Sequence, residues 1–89
     1  PDAALRAALV DTVRRLDATG LNRGSTGNVS ARGVHAPGFW ITPTGMGAEC
    51  AADDLVWMGD DGAVDGPWQP SSEWPFHRAI YRARADLQA

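Results

Sequence analysis

Apolar residues spaced three and four apart open the chain. Leu5, Ala8, Leu9, Val13 and Leu16 form one stripe, and Arg6, Arg14, Arg15 and Asp17 lie off it. That spacing predicts an amphipathic helix over residues 2–19. Gly20 follows as a C-terminal cap, with Leu21 as its hydrophobic partner. The rhythm then changes. Gly24, Ser25, Thr26, Gly27, Asn28 and Ser30 make a polar, glycine-rich turn, and the alternation over 28–32 predicts a short strand. Residues 38–42, Gly-Phe-Trp-Ile-Thr, predict a second strand, because aromatic and β-branched residues suit a pleated surface. His35-Ala36-Pro37-Gly38 reads as the hairpin loop between them, and Pro43-Thr44-Gly45 as the turn that ends the second strand.

Residues 46–53 read as irregular or as one short helical turn, and Asp-Leu-Val-Trp-Met at 54–58 as a third strand. Gly59-Asp60-Asp61-Gly62 is a hairpin turn, because Asp and Gly tolerate left-handed backbone. A return strand at 63–65 and a loop over 66–69 lead to a helix over 72–84. Trp74, His77, Ile80 and Tyr81 fall largely on one side of it, and Pro75 sits in its first turn, where a missing N–H does little harm. Helix, antiparallel strands, helix describes an α/β or α+β domain with a helix-covered sheet.

Composition narrows the picture. Eighty-nine residues make one small domain or part of a larger one. A net charge of −3 leaves no basic footprint for nucleic acid, and no apolar run approaches the ~20 residues of a membrane-spanning helix. One cysteine, Cys50, excludes an internal disulfide framework and fits a cytoplasmic protein; it reads as an incidental small loop residue. All eight cationic side chains are arginine, so no lysine is present to form an imine with a carbonyl substrate. The start at Pro1 and the finish at Ala89 read as the front portion of a longer protein.

Three polar loops carry the candidate chemistry: Ser25-Thr26-Gly27-Asn28, Thr42-Pro43-Thr44-Gly45 and Pro70-Ser71-Ser72-Glu73. Each couples small residues with hydroxyl or amide donors, and such groups together can bind phosphate without formal positive charge. Ser71 and Ser72 stand at a predicted helix mouth, beside unpaired backbone N–H groups. Glu73 sits next to that anion pocket, where it needs a cation or a proton to share the space. An acid in a first turn also suits the helix dipole, so a structural role stands beside the catalytic one. His77, one turn on, could share a face with Glu73, but two ligands do not make a metal site; it reads as a packing or hydrogen-bonding histidine. His35 reads as solvent-exposed, the four tryptophans as core or interface residues, and Trp68 as a loop anchor.

Together these segments resemble the class II aldolase/adducin family. The resemblance rests on residues 20–30 (Gly-Leu-Asn-Arg-Gly-Ser-Thr-Gly-Asn-Val-Ser), Ile41-Thr42-Pro43-Thr44-Gly45, Asp54-Leu55-Val56, Pro70-Ser71-Ser72-Glu73-Trp74 and His77-Arg78-Ala79-Ile80-Tyr81. Within the family, Leu21-Asn22 and the Ser-Ser-Glu-Trp…Phe-His run look closest to the branch acting on L-fuculose 1-phosphate. The resemblance implies an α/β fold, a central antiparallel sheet flanked by helices, with residues 1–89 as the N-terminal part of a single domain. It implies a homotetramer with sites between subunits. It also implies that Gly27, Asn28, Thr44, Gly45, Ser71 and Ser72 hold a substrate phosphate, and that Glu73 is both acid/base residue and zinc ligand. The zinc would polarise the ketone and stabilise the enediolate of a retro-aldol cleavage. Similar proteins place a His-x-His pair just beyond this chain's last residue and a third histidine later, so the 89 residues alone are expected to be inactive. A pentulose-phosphate 4-epimerase, a dehydratase and a non-catalytic adducin-like assembly domain remain the alternatives.

Overall fold

The computed structural model describes residues 2–20 and 27–89. Helix α1 spans Ala3–Ala18, and Gly20, at φ 79°, takes the left-handed conformation common just past a helix C-terminus. Leu21, its expected partner, lies outside the described residues, as does the predicted turn from Gly24 to Thr26. Strands β1 (Ser30–Arg32), β2 (Gly38–Ile41), β3 (Val56–Gly59) and β4 (Val64–Asp65) follow, then helix α2 (Trp74–Ala83). The strands form one antiparallel sheet in the order β1-β2-β3-β4. The architecture is α/β, a small antiparallel sheet with a helix on each face.

The two-residue period of the strands separates the two cores. Phe39 and Ile41 of β2 pair with Met58 and Val56 of β3, and all four pack with Tyr81 of α2. Trp40 points the other way, beside Ala31, toward Leu9, Val10 and Val13 of α1, with Cys50 and Leu55 completing that core. Ile41, Val56 and Cys50 are fully buried. At Gly38 the backbone has φ +149°, and a Cβ would lie 2.4 Å from the Met58 carbonyl oxygen. Only glycine lets the β2–β3 edge close there.

Several details differ from the sequence reading. In α1, Val10 is buried and Ala8 is exposed, because the sheet covers a face centred on Leu9, Val10 and Val13. The third strand starts at Val56, not at Asp54. The Asp54 carboxylate accepts the Ala51 N–H at 2.9 Å, and its own N–H donates to the Ala51 carbonyl at 2.9 Å. That local bonding closes a 3₁₀ turn over Ala52–Asp54 and takes Asp54 out of the ladder. On α2, Ile80 is exposed, although Tyr81 is buried. Seven residues make about two helical turns, so Trp74 and Tyr81 line up while Ile80 sits about 100° away. Cys50 is a core residue, not an incidental one. None of the four tryptophans is fully buried, and Trp68 anchors its loop by donating Nε1–H to Asp54 Oδ1 at 2.9 Å. His35 is exposed. Among the described residues, no helix is long and apolar enough to cross a membrane.

Candidate active site

Thr42 ties the three polar loops together. It follows directly on β2 and is buried. Its N–H donates to the Val29 carbonyl at 3.1 Å, and its hydroxyl accepts the Val29 N–H at 3.1 Å. Its carbonyl accepts the Ser71 N–H at 3.0 Å. One residue thereby fixes the segment entering β1, the turn leaving β2 and the approach to α2. An antiparallel bridge between Pro43 and Pro70 continues the contact.

The result is one cleft of about 260 Å³ lined by Gly27, Asn28, Pro43, Thr44, Gly45, Ser71, Ser72 and Glu73. The residues expected to hold the phosphate, Gly27, Asn28, Thr44, Gly45, Ser71 and Ser72, therefore line one cleft with Glu73. Ser25 and Thr26, from the first loop, lie outside the described residues. Among the described residues, no cationic side chain lines the cleft, and those residues offer an anion neutral N–H, amide and hydroxyl donors. Gly45 has φ +72°, which lets the turn bend its backbone without a Cβ penalty. A larger hollow of about 440 Å³, lined by Phe39, Met58, Trp74 and Arg78 among others, was not foreseen and shares none of these residues.

The serines do not sit inside the helix. Helix α2 begins at Trp74, with Glu73 as the residue flanking its start. Ser71 instead closes the approach turn: its carbonyl accepts the Trp74 N–H at 3.0 Å and its hydroxyl accepts the Glu73 N–H at 3.3 Å. Ser71 is buried, while Ser72, Thr44, Gly45 and Glu73 are exposed to the cleft.

Glu73 is held from the side. The Asn28 amide nitrogen donates to Glu73 Oε1, and the Asn28 amide oxygen meets His77 Nε2. His77 Nδ1 lies 2.6 Å from Ser30 Oγ, which lies 2.7 Å from the Tyr81 hydroxyl. Burial pulls the His77 pKa down, against the opposing pull of the Glu73 charge. Burial pushes the Tyr81 pKa up, against its bond to Ser30 and the charge of Arg32. His77 is thus the hydrogen-bonding histidine expected from the sequence. The bridging role of the Asn28 side chain was not foreseen; the four-residue spacing of Glu73 and His77 was the available signal.

The donor set admits a metal only in part. Among the described residues, no three His, Cys, Asp or Glu side chains gather. Both His77 nitrogens are engaged, and Glu73 is the single such side chain lining the cleft. The described chain offers one carboxylate ligand, and a catalytic metal ordinarily takes three from protein.

Residues 7–89 match the family model described as Class II Aldolase and Adducin N-terminal domain. The chain belongs to this family. It is 41% identical, over 97% of its length, to a 5-methylthioribulose-1-phosphate/5-deoxyribulose-1-phosphate aldolase from Rhodospirillum rubrum, covering 38% of that protein. It is 36% identical, over 98% of its length, to an L-fuculose phosphate aldolase from Haemophilus influenzae, covering 40% of it. A solved L-fuculose 1-phosphate aldolase superposes with a TM-score of 0.89 at 31% identity, over 99% of this chain and 42% of the other. A solved protein from Klebsiella pneumoniae described as a putative aldolase/epimerase/decarboxylase superposes equally well, at 0.89 and 30% identity, over 98% of this chain and 42% of that one. The chain spans about two-fifths of the length of the curated relatives it matches. In this class II aldolase family, phosphorylated-sugar aldolases with different named substrates thus share these residues' fold.

Proposed function

We propose that these residues form the phosphate-holding half of a carbon–carbon lyase that cleaves a short phosphorylated ketose by retro-aldol chemistry. L-Fuculose 1-phosphate is the substrate first indicated by the sequence. The 5-deoxy- and 5-methylthioribulose 1-phosphates named for a relative share its phosphorylated end. The observation that carries the reading is the meeting of three polar loops and one carboxylate in a single cleft. Gly27, Asn28, Thr44, Gly45, Ser71 and Ser72 would hold the phosphate, with backbone N–H groups and hydroxyls as donors. Neutral donors suffice because they are fixed before the anion arrives.

Glu73 would be the acid/base group. In cleavage the bond between C3 and C4 breaks and its electron pair stays on C3. The C4 hydroxyl would pass its proton to solvent as the aldehyde forms, and protonated Glu73 would give a proton to C3 and be reprotonated from solvent, so no net proton is gained or lost. A zinc ion, with Glu73 as one ligand and histidines outside these residues as the others, would supply the electron sink that lysine supplies elsewhere. The complete enzyme would be a cytoplasmic homotetramer. A binding module kept for assembly would have no use for a carboxylate beside a phosphate cradle.

The test is turnover by the full-length enzyme. Incubation with each phosphorylated ketose should release dihydroxyacetone phosphate, and chelation followed by zinc addition should abolish and restore it. Glu73→Gln should stop turnover. A folded, zinc-loaded enzyme that cleaves none of these ketoses, or a Glu73→Gln variant that keeps full activity, rules the reading out.

A further inference from the structure

The cleft's carboxylate is the outer end of a row of polar groups that runs into the protein. Asn28 Nδ2 donates to Glu73 Oε1, Asn28 Oδ1 meets His77 Nε2, His77 Nδ1 meets Ser30 Oγ, and Ser30 Oγ meets the Tyr81 hydroxyl. Ser30 and Tyr81 are buried, and His77 is half-buried. An amide can sit between a carboxylate and a ring in two ways. Flipped, it would press Oδ1 against the Glu73 oxygens and leave Nδ2 facing His77. Which way it sits depends on what His77 Nε2 presents.

We infer that His77 is a positioning residue: as the neutral ring protonated on Nε2, it locks the Asn28 amide so that Nδ2 aims at Glu73. Each donor in the row then has an acceptor. The Tyr81 hydroxyl donates to Ser30, the Ser30 hydroxyl donates to His77 Nδ1, His77 Nε2–H donates to Asn28 Oδ1, and the amide N–H donates to Glu73. This direction is the one the inference takes: among the described residues the Ser30 hydroxyl meets the Tyr81 hydroxyl and the ring, and a Tyr81 that donates to Ser30 leaves the Ser30 proton for His77 Nδ1. Burial of the ring, which favours its neutral form, supports the same tautomer. His77 does not line the cleft, so its effect passes through Asn28. The consequence for turnover rests on the proposed role of Glu73; the tautomer does not.

Two measurements on the full-length enzyme test this. Nitrogen-15 NMR of labelled histidine should show the His77 ring neutral, with the proton on Nε2, at pH 8; a proton on Nδ1 or a charged ring there overturns the inference. Kinetics then use a matched pair of variants. Gln places a donor near the former Nε2 position, whereas Asn reaches only toward Ser30. His77→Asn should lower kcat by about tenfold with KM changed by no more than about twofold, and His77→Gln should recover most of that loss. Equal kcat losses in both variants, or no loss in His77→Asn, refute the positioning role. Scoring kcat per folded enzyme, by circular dichroism, separates a packing defect from positioning. If the wild-type enzyme cleaves no phosphorylated ketose, the proposed function fails, and the NMR result still decides the tautomer.

Discussion

Pro43 and Pro70 face one another in a single antiparallel bridge, and neither can donate a hydrogen bond to close it. Their neighbours do so instead. Thr44 N–H donates to the Gln69 carbonyl at 3.0 Å, and Ser71 N–H to the Thr42 carbonyl at 3.0 Å. The bridge sets the Thr44-Gly45 turn against the Ser71-Ser72 turn across the cleft. Residues far apart in sequence thereby hold one register.

A register shift there should separate fold from binding. Inserting one glycine between Gln69 and Pro70 moves Ser71 off Thr42. The full-length enzyme should keep its circular dichroism spectrum but lose affinity for the phosphorylated substrate by about tenfold or more, read as KM or by calorimetry. Unchanged affinity would mean the two turns do not act on one ligand.

The two serines should behave differently. Ser72 is exposed to the cleft, so Ser72→Ala should leave the melting temperature unchanged and weaken substrate binding by about tenfold, the size of one lost charge-assisted bond. Ser71 is buried and accepts the Glu73 N–H. Ser71→Ala should weaken binding and also destabilise the fold by about 1 kcal/mol, as denaturant unfolding would report.

Glu73→Gln preserves shape and should barely alter stability, because the carboxylate is exposed. Turnover should fall by about a hundredfold or more, with the remaining substrate affinity intact, if the residue moves a proton. A drop in affinity without a drop in kcat would instead assign it to binding.

Cys50 offers a pH test. Burial first, then the charges of Asp54 and Glu49, push its thiol up to about 11 from an ordinary 9.0. The folded state therefore holds the proton more tightly than the unfolded chain does. The stability this contributes is fully present below pH 9.0 and is lost as pH rises toward about 11. Cys50→Ala removes the titrating group, so its melting temperature should fall less steeply between those limits than the wild type's. In the native protein at pH 8, Cys50 should react with a thiol reagent only at the rate of local opening, read by mass spectrometry of its peptide.

Gly38→Ala should be among the most damaging small substitutions. The added methyl would meet the Met58 carbonyl oxygen at 2.4 Å and the Trp57 ring at 2.7 Å, in a backbone conformation that L side chains rarely adopt. A loss of about 3 kcal/mol or more is expected by chemical denaturation, against about 1–2 kcal/mol, from backbone strain alone, for Gly62→Ala, whose Cβ would meet nothing within 4 Å although its φ is also positive.

Local signals carried most of the architecture. The three-and-four spacing over residues 2–19 found α1, the Gly59–Gly62 turn found the β3–β4 hairpin, alternation found β1, and aromatic and β-branched residues found β2. The failures were at ends and faces. Asp54 left the strand because its side chain captured the Ala51 N–H, and Ser72 fell outside α2 because a turn closed by the Trp74 N–H on the Ser71 carbonyl precedes the helix. Ala8 and Ile80 are exposed because the breadth of the sheet, which no single helix encodes, decides how far round each helix burial extends.

Within this chain alone, periodicity and turn chemistry determined the elements, and residue type picked out Asn28, Thr44, Ser71, Ser72 and Glu73 as groups able to meet an anion. Their meeting was decided by tertiary structure: Thr42 and the Pro43–Pro70 bridge join segments that sequence separates by dozens of residues. The orientation of Asn28 between Glu73 and His77 was decided there too. Local preference acts between neighbours along the chain, whereas hydrogen-bond partners across the sheet exist only once both cores have closed.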